Sequence, residues 1–261
     1  MRWLSADRPG ALALDDRGVA YGDGLFETLR LKNGDIRFLE QHLDRFEAGC
    51  RALGISGASR AGVRRALTSF GARHPEADWI KLIVTRGEGA RGYAPPRHTT
   101  PTGILSSGAL AEMPERWRAV VSDTALPDAG VLGGVKHLNR LPQVLARMSL
   151  PRGAHEGLMC NAADDLACGI MSNVFVVVGQ QVLTPDVSRA GVAGVMRRFV
   201  CETTRVITTR VSRGALLRAS EVFVTNALRG VVSLEHVDGR ALPASTPVAD
   251  ALRDALEVAH P

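Results

Sequence analysis

The sequence predicts an α+β protein in two parts: a compact α+β unit over residues 1–110, a linker at 111–117 and a larger, barrel-like unit over 118–261. Three observations carry that expectation. The first part mixes strands of alternating polarity with two amphipathic helices. The second strings together many short apolar runs with only a few helices. Between them lies AEMPERW, polar and interrupted by Pro114.

The elements follow in order. In LFETLRL, Leu25, Glu27, Leu29 and Leu31 alternate with Phe26, Thr28 and Arg30, as a strand requires. Asn33-Gly34 turns that strand back into DIRFL. Leu39, Leu43, Phe46, Cys50 and Leu53 then form one apolar helical stripe, and a second helix covers about 60–71. WIKLIVTRG and GILSSGAL read as strands around the glycine-rich loop GEGARGYAPP. Beyond the linker, RAVVSDTAL is a strand, and VLGGVKHLNRL leads into a helix with Leu138, Leu141, Leu145 and Met148 on one face. GLMCNA, NVFVVVG, QVLTP, EVFVTN and VSLEHVDG supply further strands. GVAGVMRRFVCETT is a glycine turn running into a helix, and a last helix covers about 247–258.

Composition narrows the function. With 261 residues, 45% hydrophobic and 23% charged, the chain can bury a full core and is neither disordered nor collagen-like. No apolar run reaches the roughly 18 residues of a membrane span. MRWLSADRPG has no stretch suited to a signal peptide, so the cytoplasm is the expected location. Cys50, Cys160, Cys168 and Cys201 form no C-x-x-C pair and have no His at zinc spacing, so free thiols and no metal are expected. The net charge is +5, but arginines and acids are interspersed. That pattern favours a solvated surface with some anion handling over nucleic-acid binding.

Of 32 basic residues, only Lys32, Lys81 and Lys136 are lysines; 29 are arginines. A chain that uses Arg as its generic cation marks each remaining Lys as a candidate for amine chemistry, which Arg cannot perform. Lys32 sits by the hairpin tip and Lys81 in a strand. Lys136 follows an apolar, glycine-rich approach and is expected to be the most buried of the three; a snorkelling lysine at the core edge is the alternative. Gly191 and Gly194 precede a helix whose first amides, near Val195 and Met196, lack intrahelical acceptors. This is either an anion site or a plain helix start. TNALRG, with Asn226 and Ala227, is a second such turn. Arg45 lies beside the stripe of its helix, as a surface arginine or a phosphate fork. A reactive lysine with phosphate-sized amide turns is what pyridoxal phosphate requires.

The segments DDRGVAYGDGLFET, HLDRF, VTRGEGARGY, GVKHLNRLPQV, SNVF, TPDVSRAGVAGVMRR and TNALRGV together resemble the fold-type IV pyridoxal-phosphate enzymes, almost end to end. That family includes branched-chain and D-amino acid aminotransferases and aminodeoxychorismate lyases. The resemblance implies a small N-terminal α/β sandwich, a larger C-terminal barrel-like cofactor domain and a homodimer. GVKHLNRLPQV and the RGY of the loop look most like the lyase branch. This implies pyridoxal 5′-phosphate as cofactor and a small anionic substrate, 4-amino-4-deoxychorismate, converted to 4-aminobenzoate and pyruvate for folate synthesis. A class IV aminotransferase and a cofactor-free relative are the alternatives.

Carried over by motif, the resemblance implies that Lys136 holds the cofactor covalently and carries the proton. Arg45 and the amides of Val195, Met196, Asn226 and Ala227 would bind the phosphate. Arg91 and Tyr93 would meet the substrate carboxylate. Thr28, on the strand face of Phe26, would position substrate or relay a proton, although alternation alone leaves its direction open. One position departs: relatives carry an acid for the pyridine nitrogen where this chain has Cys168, with Asp164 and Asp165 as nearby substitutes.

Overall fold

The computed structural model describes residues 1–5, 7, 10–32 and 34–260, so Asn33, expected at the hairpin tip, lies outside it. Contacts group the chain into two units. The first is Met1–Ala111 with Val135–Asn139; the second is Glu112–Gly134 with Arg140–Pro261. The division falls near the start of the expected 111–117 linker, and it returns the five residues around Lys136 to the first unit. Trp117, expected at the end of the linker, already belongs to a strand.

In the first unit the strands are β1 (Arg2–Ser5), β2 (Gly24–Lys32), β3 (Asp35–Ile36), β4 (Trp79–Thr85) and β5 (Thr102–Gly108). Its helices are α1 (Arg17–Tyr21), α2 (Leu39–Leu53) and α3 (Arg60–Arg73). The sheet order is β1-β5-β4-β2-β3, antiparallel apart from the β1–β5 pair. Along β2, Leu25, Glu27, Leu29 and Leu31 are buried while Phe26, Thr28, Arg30 and Lys32 are half-buried. The leucine row meets Leu43 and Phe46 of α2 and Val63, Leu67 and Phe70 of α3. At about 1.5–3 kcal/mol for each large buried apolar side chain, this face fixes the strand register. Gly54 ends α2 in the left-handed conformation, φ 62°, and its amide donates to the last turn, as a helix C-terminus favours.

In the second unit the strands are β6 (Trp117–Val121), β7 (Glu156–Cys160), β8 (Asp165–Gly169), β9 (Asn173–Val178), β10 (Gln181–Pro185), β11 (Val206–Thr209), β12 (Val211–Ser212), β13 (Glu221–Asn226), β14 (Gly230–Val237) and β15 (Arg240–Ala241). The helices are α4 (Leu141–Met148), α5 (Val195–Thr203), α6 (Arg213–Arg218) and α7 (Pro247–Ala259). The sheet runs β11-β10-β9-β13-β14-β6-β7-β8-β12, with β15 on β14. β8 also lies against β9, so the sheet curls toward the expected barrel. Trp117, Leu158, Leu166, Val174, Val176, Val222, Val224 and Leu234 fill its core.

Two sequence expectations change. The helix after Lys136 begins at Leu141, so Leu138 precedes it, and Leu141, Leu145 and Met148 are exposed at 65, 49 and 77%. That apolar face is therefore not buried within the chain. β1, β8, β11, β12, β15, α1 and α6 were not foreseen. They are short, and DLACG is buried along its whole length, so it shows no alternation.

Candidate active site

Lys136 is anchored to β2 by main-chain bonds. Phe26 N donates to Lys136 O at 3.0 Å, and Leu138 N donates to Gly24 O at 3.0 Å. The Lys136 ammonium lies 4.2 Å from the centroid of the Phe26 ring, and that of Lys81 lies 5.5 Å from it. A cation over an aromatic face is stabilised by the ring quadrupole. Lys136, Lys32 and Lys81 are all half-buried, and Lys136 is further marked by its main-chain tether to β2. Thr28 shares the half-buried face with Phe26 and is paired across the strands with Lys81.

Arg45 does not point to a bare surface. Glu27, in the leucine row of β2, is 3% exposed and faces α2. Arg45 Nε donates to Glu27 Oε1 at 2.8 Å, and Arg45 Nη2 donates to Glu27 Oε2. Glu27 thus occupies one bidentate edge of the guanidinium. His42 Nδ1 lies 2.7 Å from Glu27 Oε2. The i, i+3 spacing of His42 and Arg45 puts both on one face of α2. Burial alone would raise the Glu27 carboxyl, but Arg45 and His42 outweigh it and hold the pKa down at about 2. Burial lowers the pKa of His42, with Arg45 and Lys136 adding to the effect, so the ring is neutral. Neutral His42 donates through Nδ1, which leaves Nε2 as a buried acceptor with no partner among the described residues. Glu27 and His42 were missed in the sequence. The available sign was a carboxylate in phase with three leucines.

Arg91 and Tyr93 sit on the loop after β4. Both are exposed, Tyr93 at 87%. The loop's backbone is held by Arg17, which is buried and which the sequence reading also passed over.

In the second unit, the turn before α5 is assembled from glycines. Gly134 N donates to Gly191 O at 3.2 Å, and Ala193 N donates to Gly134 O at 2.9 Å. Asn173 Nδ2 donates to Val192 O at 2.8 Å, and a Cβ on Gly194 would overlap Asn173 Oδ1. Among the described residues no side chain caps α5, and the amides of Val195 and Met196, in its first turn, have no intrahelical acceptor and lie at the positive end of the helix. Asn173 is paired with Thr225, next to Asn226. The 226–227 turn and the start of α5 therefore lie at the same end of the sheet. Asn226 Oδ1 accepts from Leu228 N at 3.1 Å and Arg229 N at 2.9 Å, and the Ala227 amide takes no part in those bonds. Thr225 Oγ1 is buried there with no partner among the described residues. An orphaned hydroxyl, an uncapped helix start and a glycine cradle fit a phosphate group.

Cys168 is 5% exposed and packs with Leu126, Ala146, Met159, Ala167 and Ala190. The β7–β8 register slips beside it, between Met159 and Cys160. A Cβ on Gly191 would touch its Cβ and Sγ at 3.4 Å. Asp164 and Asp165, the nearby carboxylates, are both engaged by arginines. Asp164 pairs with Arg213 at 2.7 Å and Asp165 with Arg210 at 2.8 Å. Two residues on from Cys168, the chain is locked by Glu156, which is fully buried. It accepts from Gly157 N at 2.9 Å, Ile170 N at 3.0 Å and Ser172 Oγ at 2.7 Å. Burial pushes its pKa above the ordinary carboxylate range.

A family model described as amino-transferase class IV matches residues 24–237. An aminodeoxychorismate lyase of Vibrio harveyi is 31% identical over 248 residues, 91% of each chain. The crystal structure of 4-amino-4-deoxychorismate lyase from Pseudomonas aeruginosa superposes with a TM-score of 0.90 at 40% identity, covering 97% of each chain. The pyridoxal-phosphate-bound form of a hypothetical aminotransferase from Mycobacterium tuberculosis shares the fold at a TM-score of 0.81 and 21% identity, covering 96% of this chain and 93% of that one.

Proposed function

The chain belongs to the class IV amino-transferase family, and on that premise we propose that it is a pyridoxal-phosphate-dependent lyase that converts 4-amino-4-deoxychorismate to 4-aminobenzoate and pyruvate. When bound, the cofactor supplies a carbonyl for the substrate amine and a ring that withdraws electrons. Lys136 of the first unit would hold the cofactor covalently and, when free, would act as the base. Its Nζ takes the proton from the ring carbon that bears the amine. The Phe26 ring at 4.2 Å favours the ammonium that results. The carbon–oxygen bond to the neighbouring enolpyruvyl group then breaks. The carbocycle becomes aromatic, and the enolpyruvate takes up a proton to leave as pyruvate.

Arg45, held by Glu27 and His42, is assigned to the cofactor phosphate. The amides of Val195, Met196, Asn226 and Ala227 are assigned to binding phosphate as well. Arg91 and Tyr93 are assigned to the substrate carboxylates, and Thr28 to positioning or proton relay on the face of Phe26. The observation that carries the choice of elimination over amino-group transfer is Cys168. A carboxylate at that slot would keep the pyridine nitrogen protonated and the ring a strong electron sink. Amino-group transfer would need that sink, because no leaving group carries the electrons away. Elimination needs it less, since the electrons leave with the ether oxygen.

The chain is proposed to pair as a homodimer, a reading supported by the exposed apolar face of Leu141, Val144, Leu145 and Met148 on α4. Among the described residues no helix is long and apolar enough to cross a membrane. Cys50, Cys160, Cys168 and Cys201, which form no disulfide among the described residues, accord with a place in the reducing cytoplasm. The test is to incubate the cofactor-loaded protein with 4-amino-4-deoxychorismate and measure pyruvate and 4-aminobenzoate against transfer of the amino group to a keto acid. Product release without transfer supports the lyase; brisk transfer with no pyruvate supports the aminotransferase.

A further inference from the structure

Arg17 is a buried cation whose contacts converge on one loop. Its Nη1 donates to Gly92 O at 2.9 Å and its Nη2 to Tyr93 O at 2.9 Å. Its Nε donates to Asp23 Oδ2 at 2.9 Å. The guanidinium carbon lies 4.8 Å from the centroid of the Tyr21 ring. Tyr21 closes the arrangement: its hydroxyl accepts from Gly92 N at 2.9 Å, and its ring meets Tyr93 edge-on at 5.5 Å. Asp23 in turn accepts from Arg86 Nε at 2.7 Å and Nη2 at 2.9 Å, and Arg86 donates to the carbonyls of Leu53 and Gly54 at the end of α2. Burial opposes ionisation of Asp23, but Arg86 and Arg17 hold its pKa below the ordinary carboxylate range.

Burying a guanidinium is expensive unless its donors are matched, and here they are matched by a carboxylate and two successive main-chain carbonyls. The network leaves the side chains of Arg91 and Tyr93 exposed, Tyr93 at 87%. The loop contains Gly87, Gly89 and Gly92 and would otherwise sample many conformations. What the network fixes is the direction in which Arg91 and Tyr93 are displayed.

We propose that Arg17, supported by Tyr21, is a positioning residue for substrate selection, pinning the backbone of Gly92 and Tyr93 so that Arg91 and Tyr93 form a rigid recognition edge for an anionic substrate. This rests on the assignment of Arg91 and Tyr93 to substrate carboxylates. Lysine at position 17 presents a point charge and cannot span Asp23 and both carbonyls. Tyr21→Phe removes only the acceptor for Gly92 N.

The test compares Arg17→Lys, Tyr21→Phe, Arg91→Ala and Tyr93→Ala in the cofactor-loaded enzyme. It reads KM and kcat for 4-amino-4-deoxychorismate, cofactor absorbance, and the rate of tryptic cleavage after Arg91. Loosening the edge is expected to raise KM about 10- to 100-fold in Arg17→Lys, and less in Tyr21→Phe. The kcat should stay within about threefold, because the interaction lost is in binding. Absorbance should be retained, and cleavage after Arg91 should quicken in both variants. Should Arg17→Lys fail to fold, Tyr21→Phe carries the same readouts. Wild-type KM and cleavage in the Arg17 and Tyr21 variants, alongside a raised KM in Arg91→Ala, would overturn the positioning role. Unchanged KM in both Arg91→Ala and Tyr93→Ala would instead refute the substrate role of the loop, and the proposal with it.

Discussion

Glu27→Gln tests the buried ion pair behind Arg45 most sharply. The variant keeps the shape of the side chain and one hydrogen-bond acceptor but removes the charge that balances Arg45. Glu27 is 3% exposed and is held at a pKa of about 2, against an ordinary value of 4.5. That difference corresponds to about 3 kcal/mol of native stability at neutral pH. Removing one partner of a buried pair is expected to cost a similar amount, about 3–5 kcal/mol, toward the lower end here because Arg45 is 12% exposed. For a chain of this size the melting temperature of the cofactor-free protein should fall by roughly 6–12 °C at pH 7. The pH dependence has a definite sign. A carboxylate whose pKa is depressed on folding contributes stability above its unfolded value and loses it as pH falls through the folded one. The Glu27 contribution should therefore disappear between about pH 4.5 and pH 2. His42, neutral and lowered by burial, adds a separate loss that begins below about 6.5. Melting curves of wild type and Glu27→Gln from pH 3 to 8 are the assay. A variant melting within about 2 °C of wild type at pH 7 would refute the pair's role in stability.

Three further outcomes follow from the site. Lys136→Arg keeps the charge over Phe26 but cannot bond the cofactor or serve as a base at neutral pH; spectroscopy should show loss of the bound-cofactor band, and pyruvate release should cease. Gly194→Ala places a Cβ against Asn173 Oδ1 and should displace the start of α5; titration should show cofactor affinity weakened by about tenfold or more, with the far-ultraviolet circular dichroism unchanged. Cys168→Glu introduces a carboxylate beside Leu126, Ala146 and Met159. It should destabilise the cofactor-free protein by about 1–3 kcal/mol and raise side transamination more than lyase turnover, which paired assays of keto-acid amination and pyruvate release would detect.

Much of the first unit was legible because its physics is local. The alternation in LFETLRL and the stripe from Leu39 to Leu53 each answer to one buried face, and β2 and α2 follow them. Composition singled out Lys136, one of three lysines beside 29 arginines, and its chemistry is the proposal that Lys136→Arg tests. Less visible were residues whose meaning depends on distant partners. Glu27 reads as a polar interruption until His42 and Arg45 arrive from α2. Arg17 reads as a turn residue until Gly92 and Tyr93 come within reach of its guanidinium. β8 escaped because a strand buried on both faces carries no period-two pattern. The apolar stripe of α4 was visible but its partner was not, because periodicity marks an apolar face without saying what covers it. Asp164 and Asp165 were visible near Cys168 in the sequence, but their pairing with Arg213 and Arg210 was not, because those partners lie far along the chain.

The most direct measurement is a single progress curve of the purified, cofactor-loaded protein with 4-amino-4-deoxychorismate, following pyruvate, 4-aminobenzoate and the cofactor spectrum together. The account predicts pyruvate and 4-aminobenzoate in equal amounts, with the cofactor returning to its starting absorbance after each turnover. Conversion of the cofactor to its amine form with no pyruvate would contradict it.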